Sequence, residues 1–128
     1  MRLLLDTHAF LWWIGDDPRL SERAREVFSD GNNDLIFSAA SGWEIAIKAR
    51  LGRLRVPGDL SAYLFGQLTE NYISVLPVQL SHALRVHALP DHHRDPFDRL
   101  LVAQAIVEET PLLSADPWIA RYPVEVVW

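Results

Sequence analysis

The chain has 128 residues, 49% of them hydrophobic, with no cysteine and a formal net charge of −5. That size and apolar content describe one globular domain over residues 1–128 and exclude a disordered chain. The missing cysteines exclude a disulfide framework or a thiolate metal site, and the acidic balance argues against a protein that coats nucleic acid through bulk positive charge.

Arg2–Leu5 is short and apolar and reads as a buried strand. Asp6 and His8 break this apolar run before it can form a signal peptide, and no stretch approaches the roughly 20 apolar residues of a membrane span. A cytoplasmic protein without membrane contact is expected. Thr7–Ile14 follows as a helix, capped by Asp6 or Thr7. After the loop Gly15–Pro18, Ser21 caps a second helix, Glu22–Phe28. Asp30–Asn33 is a turn signal, and Asp34–Ser38 is a second buried strand. Ser41 starts a third helix that Gly52 stops near Leu51. Asp59 caps a fourth helix through about Thr69. Ile73–Val78 is a third strand, broken by Pro77, and Ser81 caps a fifth helix to about Leu89. Pro90–Arg94 is a polar loop. Asp95-Pro96 opens a sixth helix that runs to Glu109. Leu112-Leu113 is a fourth strand, Asp116-Pro117 opens a short seventh helix, and Val124–Val127 is the last strand.

Strands that are apolar on both faces and alternate with helices predict an α/β fold of three layers, with a mostly parallel central sheet flanked by helices. In such sheets functional groups collect beyond the carboxyl ends of the strands. Asp6 and Asp116 each follow a strand, and Glu44 lies on the helix after the second strand. Asp98 can join them from the first turn of its helix, where it shares a face with Leu101, Val102 and Ala105.

All four acids lie in apolar sequence, where burying a carboxylate costs several kcal/mol, roughly, unless a positive charge meets it. Too few Lys or Arg lie nearby to pair all four. Each acid also has a plain structural explanation. Asp6, Asp95 and Asp116 suit helix caps, Asp98 suits the helix dipole, and Glu44 suits an ion pair with Lys48. The joint pattern favours a shared divalent cation, Mg²⁺ or Mn²⁺, on oxygen ligands. Thr7, Ser41 and Ser114 flank the acids and can hydrogen-bond them or their water, or serve as caps. Lys48 and Arg99 are the preferred contacts for nucleic-acid phosphates among the basic residues, against a solvated-face reading. His92 and His93 read as an exposed loop pair, with proton transfer or substrate binding as the alternative. Trp12, Trp13 and Trp43 read mostly as core; Trp12 and Trp13 are adjacent on one helix, so one of them is expected to be exposed.

Four segments together carry a resemblance: Leu-Leu-Leu-Asp6-Thr7-His8, Ser-Ala-Ala-Ser41-Gly-Trp-Glu44-Ile-Ala-Ile-Lys48, His-His-Arg-Asp95-Pro-Phe-Asp98-Arg99-Leu-Leu and Leu-Leu-Ser114-Ala-Asp116-Pro. In this order the chain resembles PIN-domain ribonucleases, and the combination is similar to the VapC toxins of bacterial toxin–antitoxin pairs. The resemblance implies a metal-dependent endoribonuclease in which metal-activated water attacks RNA, leaving 5′-phosphate and 3′-hydroxyl ends. By position it implies Asp6, Glu44, Asp98 and Asp116 as ligands, with Asp95 an additional acid in the same block. It also implies a VapB-like antitoxin that blocks the site and pairing as a homodimer. The competing readings are a PIN-type RNA-processing nuclease without a toxin role and a binding module whose acids are only caps. A doubly wound phosphatase would need a second Asp in an Asp-x-Asp motif, which Asp6-Thr7-His8 lacks.

Overall fold

The computed structural model describes residues 1–128. Five short strands form one sheet in the spatial order β3-β2-β1-β4-β5, and every pairing is parallel. The strands are β1 (Arg2–Leu5), β2 (Asp34–Ser38), β3 (Ser74–Leu76), β4 (Leu112–Leu113) and β5 (Val126–Val127). Parallel neighbours require crossover connections. These run through α1 (Thr7–Ile14), α2 (Glu22–Ser29), α3 (Ala39–Arg50), α4 (Leu60–Glu70), α5 (Leu80–Arg85) and α6 (Pro96–Val107). The expected α/β architecture is present, with a sheet that is wholly parallel.

The two-residue period of a strand explains how so short a sheet builds a core. Leu3 and Leu5 point to one face, with Leu35, Phe37 and Leu113, where Ala9, Phe10, Ala24 and Phe28 cover them. Leu4, Ile36 and Leu112 point to the other face and pack against Leu101, Val102 and Ala105 of α6. The register sets Leu3 beside Leu35 and Leu4 beside both Ile36 and Leu112, so side chains of one face stand in rows. Each fully buried Leu, Ile or Phe contributes about 1.5–3 kcal/mol.

Several boundaries differ from those expected. Helix α3 starts at Ala39, not Ser41, because the Ser38 hydroxyl accepts the Ala40 N–H at 3.0 Å and turns β2 directly into the helix. Helix α5 starts at Leu80 with Gln79, not Ser81, as its cap, because His82 Nδ1 accepts the Gln79 N–H at 3.0 Å in the manner of a capping box. It ends at Arg85 and tightens into a 3₁₀ turn over Val86–Ala88. Strand β3 stops at Leu76, before Pro77, which has no N–H for the ladder. No seventh α-helix follows Asp116. Its Oδ1 accepts the Trp118 N–H at 2.8 Å, a tight local turn, and only a 3₁₀ turn over Ile119–Arg121 comes after it. Helix α6 ends at Val107, and β5 is confined to Val126–Val127.

The strand order reverses direction at β1, whose neighbours are β2 on one side and β4 on the other. A crevice opens beyond the carboxyl ends of the strands at such a reversal.

Candidate active site

Asp6 is the first residue past β1. Its Oδ1 caps α1 by accepting the His8 N–H at 3.3 Å, and its Oδ2 accepts the Ser114 hydroxyl at 2.6 Å. It thus spans two strand ends, because Ser114 directly follows β4. Glu44 lies on α3 and is 3% exposed. Lys48, one helical turn later, donates to Glu44 Oε2 at 2.7 Å, while Oε1 is buried with no partner at all. Asp98 is buried in the first turn of α6, and Asp116 is partly buried just beyond β4. His93 Nε2 joins these two, at 3.2 Å from Asp98 Oδ2 and 2.7 Å from Asp116 Oδ2.

The electrostatics follow from this packing. Burial pushes Asp98 up to about 8, and the charges of Asp6, Asp95, Glu44 and Asp116 push in the same direction. Burial also raises Asp6, against the lowering effects of the Ser114 hydroxyl and of His8. Among the lysines and arginines, only Lys48 forms an ion pair with one of these four acids. The centre therefore gathers more carboxylates than its lysines and arginines pair, out of water, and without another cation Asp98 keeps its proton far above the usual carboxylate range.

The flanking hydroxyls have distinct tasks. Ser114 donates to Asp6 and accepts the Asp116 N–H at 3.1 Å, tying the two acids to one side chain. Thr7 donates to Ser41 at 2.7 Å, a buried link between the starts of α1 and α3 rather than a contact with an acid. Asp95 Oδ1 accepts the N–H groups of Phe97 and Asp98 at 2.8 and 3.3 Å, so it is committed to capping α6 while Asp98 faces the other carboxylates.

Two expectations change. Arg99 is not available to a phosphate. Its guanidinium donates to the carbonyls of Pro90 and Val86 and to the Tyr122 hydroxyl, and it braces the loop before α6. His93 is not an exposed loop residue but the bridge between Asp98 and Asp116. The ligand-capable atoms of His93, Asp98 and Asp116 lie within 4.8 Å of one another. The signal for His93 was its distance of two residues from the helix cap, which lets the Asp95 N–H donate to its Nδ1 at 3.0 Å and turns the ring inward. His92 packs edge-on against Tyr122 instead. Neither Trp12 nor Trp13 is fully exposed: Trp13 stacks on Phe28, and Trp12 meets Trp128 and the Arg19 guanidinium. Trp43 is the exposed tryptophan of the three, edge-on to Phe97.

Comparison with known proteins fits this geometry. The profile of the PIN domain family matches residues 3–125, nearly the full chain. This chain belongs to the PIN-domain family. As a PIN domain it is 32% identical to Ribonuclease VapC22 of Mycobacterium tuberculosis over 130 residues, covering 98% of each protein. It is 36% identical to Ribonuclease VapC16 of the same organism over 74 residues, covering 55% of this chain and 51% of that one. The crystal structure of VapBC2 from Rickettsia felis, bound to a DNA fragment from its promoter, shares the fold. Its TM-score is 0.73 at 15% identity, covering 99% of this PIN domain and 98% of that chain. No helix of this PIN domain is long and apolar enough to cross a membrane.

Proposed function

We propose that this PIN domain is an endoribonuclease toxin of a VapBC-type system, and that Asp6, Glu44, Asp98 and Asp116 hold Mg²⁺ or Mn²⁺ at its catalytic centre. The observation that carries the reading is the convergence of Asp98 and Asp116 on His93, with Asp6 tied to Asp116 through Ser114, at the point where the strand order reverses. The donor set fits the ion, since carboxylate oxygens are the ligands these hard cations take. The unpartnered buried Oε1 of Glu44 is an acceptor that a cation would satisfy. The names of the VapC relatives support ribonuclease chemistry, and the toxin–antitoxin setting is supported by the VapBC neighbour.

When bound, a divalent ion supplies Lewis acidity toward the phosphate and a lower pKa for the attacking water. The protein's own groups organise the centre. Ser114 fixes Asp6 against the Asp116 turn, and His93 keeps Asp98 and Asp116 on one hydrogen-bonding nitrogen. Lys48 spends one of its three donors on Glu44 and stays about a third exposed, leaving two for an RNA phosphate oxygen. The partners of this reading are an RNA substrate in the cytoplasm, a VapB-like antitoxin and a second copy of the chain.

The test is cleavage of RNA by the purified protein with Mg²⁺, with EDTA, and after Asp6→Asn. Cleavage with Mg²⁺ alone is expected, with a loss of at least about 100-fold in the other two arms. Equal cleavage in all three arms rejects the metal-centred reading.

A further inference from the structure

Beside the acidic centre lies a cleft of about 610 Å³, lined by Asp91, His92, His93, Arg94, Asp95, Trp118 and Arg121. Such a volume falls within the roughly 300–1,000 Å³ of small-ligand sites. The cleft adjoins the catalytic carboxylates, because His93 belongs to both and the Trp118 N–H donates to Asp116 Oδ1.

We infer that this cleft is a nucleotide subsite, in which Trp118 stacks an unpaired RNA base while Arg94 and Arg121 meet the neighbouring phosphates. The inference rests on the ribonuclease reading above and adds to it where the strand lies. Trp118 is 51% exposed, and the Arg121 guanidinium stands 5.4 Å from its ring centroid. An indole plate beside a guanidinium is the platform that single-stranded RNA uses, since every base offers a π-face and every link a phosphate. Neither Arg94 nor Arg121 is spent on an ion pair, whereas Arg99 is turned away into the protein. Of the acids in the lining, Asp95 is occupied by the α6 amides and Asp91 lies 3.7 Å from Arg99. Trp118 is the one hydrophobic residue of the cleft, a single flat plate in an otherwise polar lining, which suits one stacked base.

The walls are also fixed. The Tyr122 hydroxyl accepts the His93 N–H at 2.8 Å and an Arg99 N–H at 3.1 Å, while His92 packs on its ring. A loop held this way loses little freedom when a nucleotide enters. The cleft also answers the electrostatic problem of an acidic nuclease: cations beside the carboxylates hold the flanking phosphates that the carboxylates repel.

The experiment measures binding of a 5′-fluorescein-labelled random-sequence RNA hexamer by fluorescence anisotropy, with Mg²⁺, in the cleavage-impaired Asp6→Asn protein. Adding Trp118→Leu weakens binding about tenfold, Arg121→Ala weakens it several-fold, and Trp118→Phe, which keeps an aromatic plate, stays within about threefold. Trp118 and Arg121 are both exposed, so these variants should fold, and circular dichroism verifies it. Affinity unchanged within about twofold in both Trp118→Leu and Arg121→Ala overturns the subsite and leaves the nuclease reading intact. An Asp6→Asn protein that does not bind the hexamer likewise overturns the subsite, and wild-type protein that cleaves no RNA with Mg²⁺ overturns the nuclease reading as well.

Discussion

At the scale of single residues the position of one proton organises the centre. The Asp95 N–H donates to His93 Nδ1, so that nitrogen presents its lone pair and the ring proton resides on Nε2. Nε2 then faces Asp116 Oδ2 and Asp98 Oδ2 as a donor, not as a metal ligand. The imidazole therefore holds Asp98 and Asp116 together through one oxygen of each; the second oxygen of Asp116 accepts the Trp118 N–H, while that of Asp98 is left without a bond to the ring. His93→Leu removes this donor, and it is expected to lower both Mn²⁺ affinity by calorimetry and RNA cleavage by about 10–100-fold. His93→Gln can place an amide N–H near the same point and should recover most of the loss. Equal losses in Leu and Gln variants would show that the ring matters only for packing. This bridge was hard to read from sequence, because His92 and His93 look alike in a polar loop. Which one turns inward depends on a backbone N–H two residues later. The acids were legible, because a charged residue inside an apolar run carries its own desolvation penalty.

At the scale of elements, the starts of helices are written in side chains and their ends are written partly in backbone angles. Ser21, Asp59 and Asp95 cap α2, α4 and α6 as their residue types predict, with each side chain accepting a first-turn N–H. Residues in the left-handed region follow α1, α3, α4 and α6, yet only Gly52 among them is a glycine. Asp16, Tyr72 and Glu109 hold φ of 48°, 55° and 50°. Nothing in the type of a tyrosine announces that conformation, which is one reason why the ends were less legible than the starts. The Tyr72 N–H and the Ile73 N–H close α4 onto the carbonyls of Thr69 and Leu68 at 3.2 and 2.9 Å, so the strain is kept by a hydrogen-bonded helix end. The Tyr72 side chain is 91% exposed and gives little packing in return. Left-handed backbone costs a non-glycine residue about 1–2 kcal/mol, and glycine returns part of that as lost chain entropy. Tyr72→Gly should therefore raise the unfolding free energy by about 0.5–1 kcal/mol in urea titration. A lower midpoint at unchanged m would mean that the exposed ring contributes more than the strain removes. The boundaries of α3 and α5 escaped for another reason: Ser38 and Gln79 compete with Ser41 and Ser81 as caps, and His82 supplies the reciprocal bond, so tertiary placement decides between them.

At the scale of the whole molecule, the parallel sheet was legible because apolar strands alternating with helices leave few other solutions, and the strand reversal then fixes where a crevice lies. That same convergence makes stability depend on pH in a direction opposite to the usual one for carboxylates. The Asp98 pKa rises from 3.8 to about 8 in the folded protein, through burial first and then Asp6, Asp95, Glu44 and Asp116, despite the His93 N–H beside it. Between these values the folded metal-free protein holds a proton that the unfolded chain has released. Stability then falls with rising pH, by up to about 1.4 kcal/mol per unit from this group, and the contribution is lost as pH passes the folded value near 8. The raised Asp6 adds to the same slope. On the proposed reading a divalent cation binds the ionised carboxylates, so it should stabilise the fold by RT ln(1 + [L]/Kd) and gain most where the protons have left. In EDTA, Tm should drop between pH 5.5 and pH 8.5, and saturating Mn²⁺ should raise Tm more at the upper pH than at the lower. Asp98→Asn should flatten the EDTA profile, exceed the wild-type Tm in EDTA at pH 8.5 and lose most of the Mn²⁺ response, because an amide keeps the volume without the charge. A wild-type Tm that is level across this range in EDTA and indifferent to Mn²⁺ would mean that these carboxylates do not share one field.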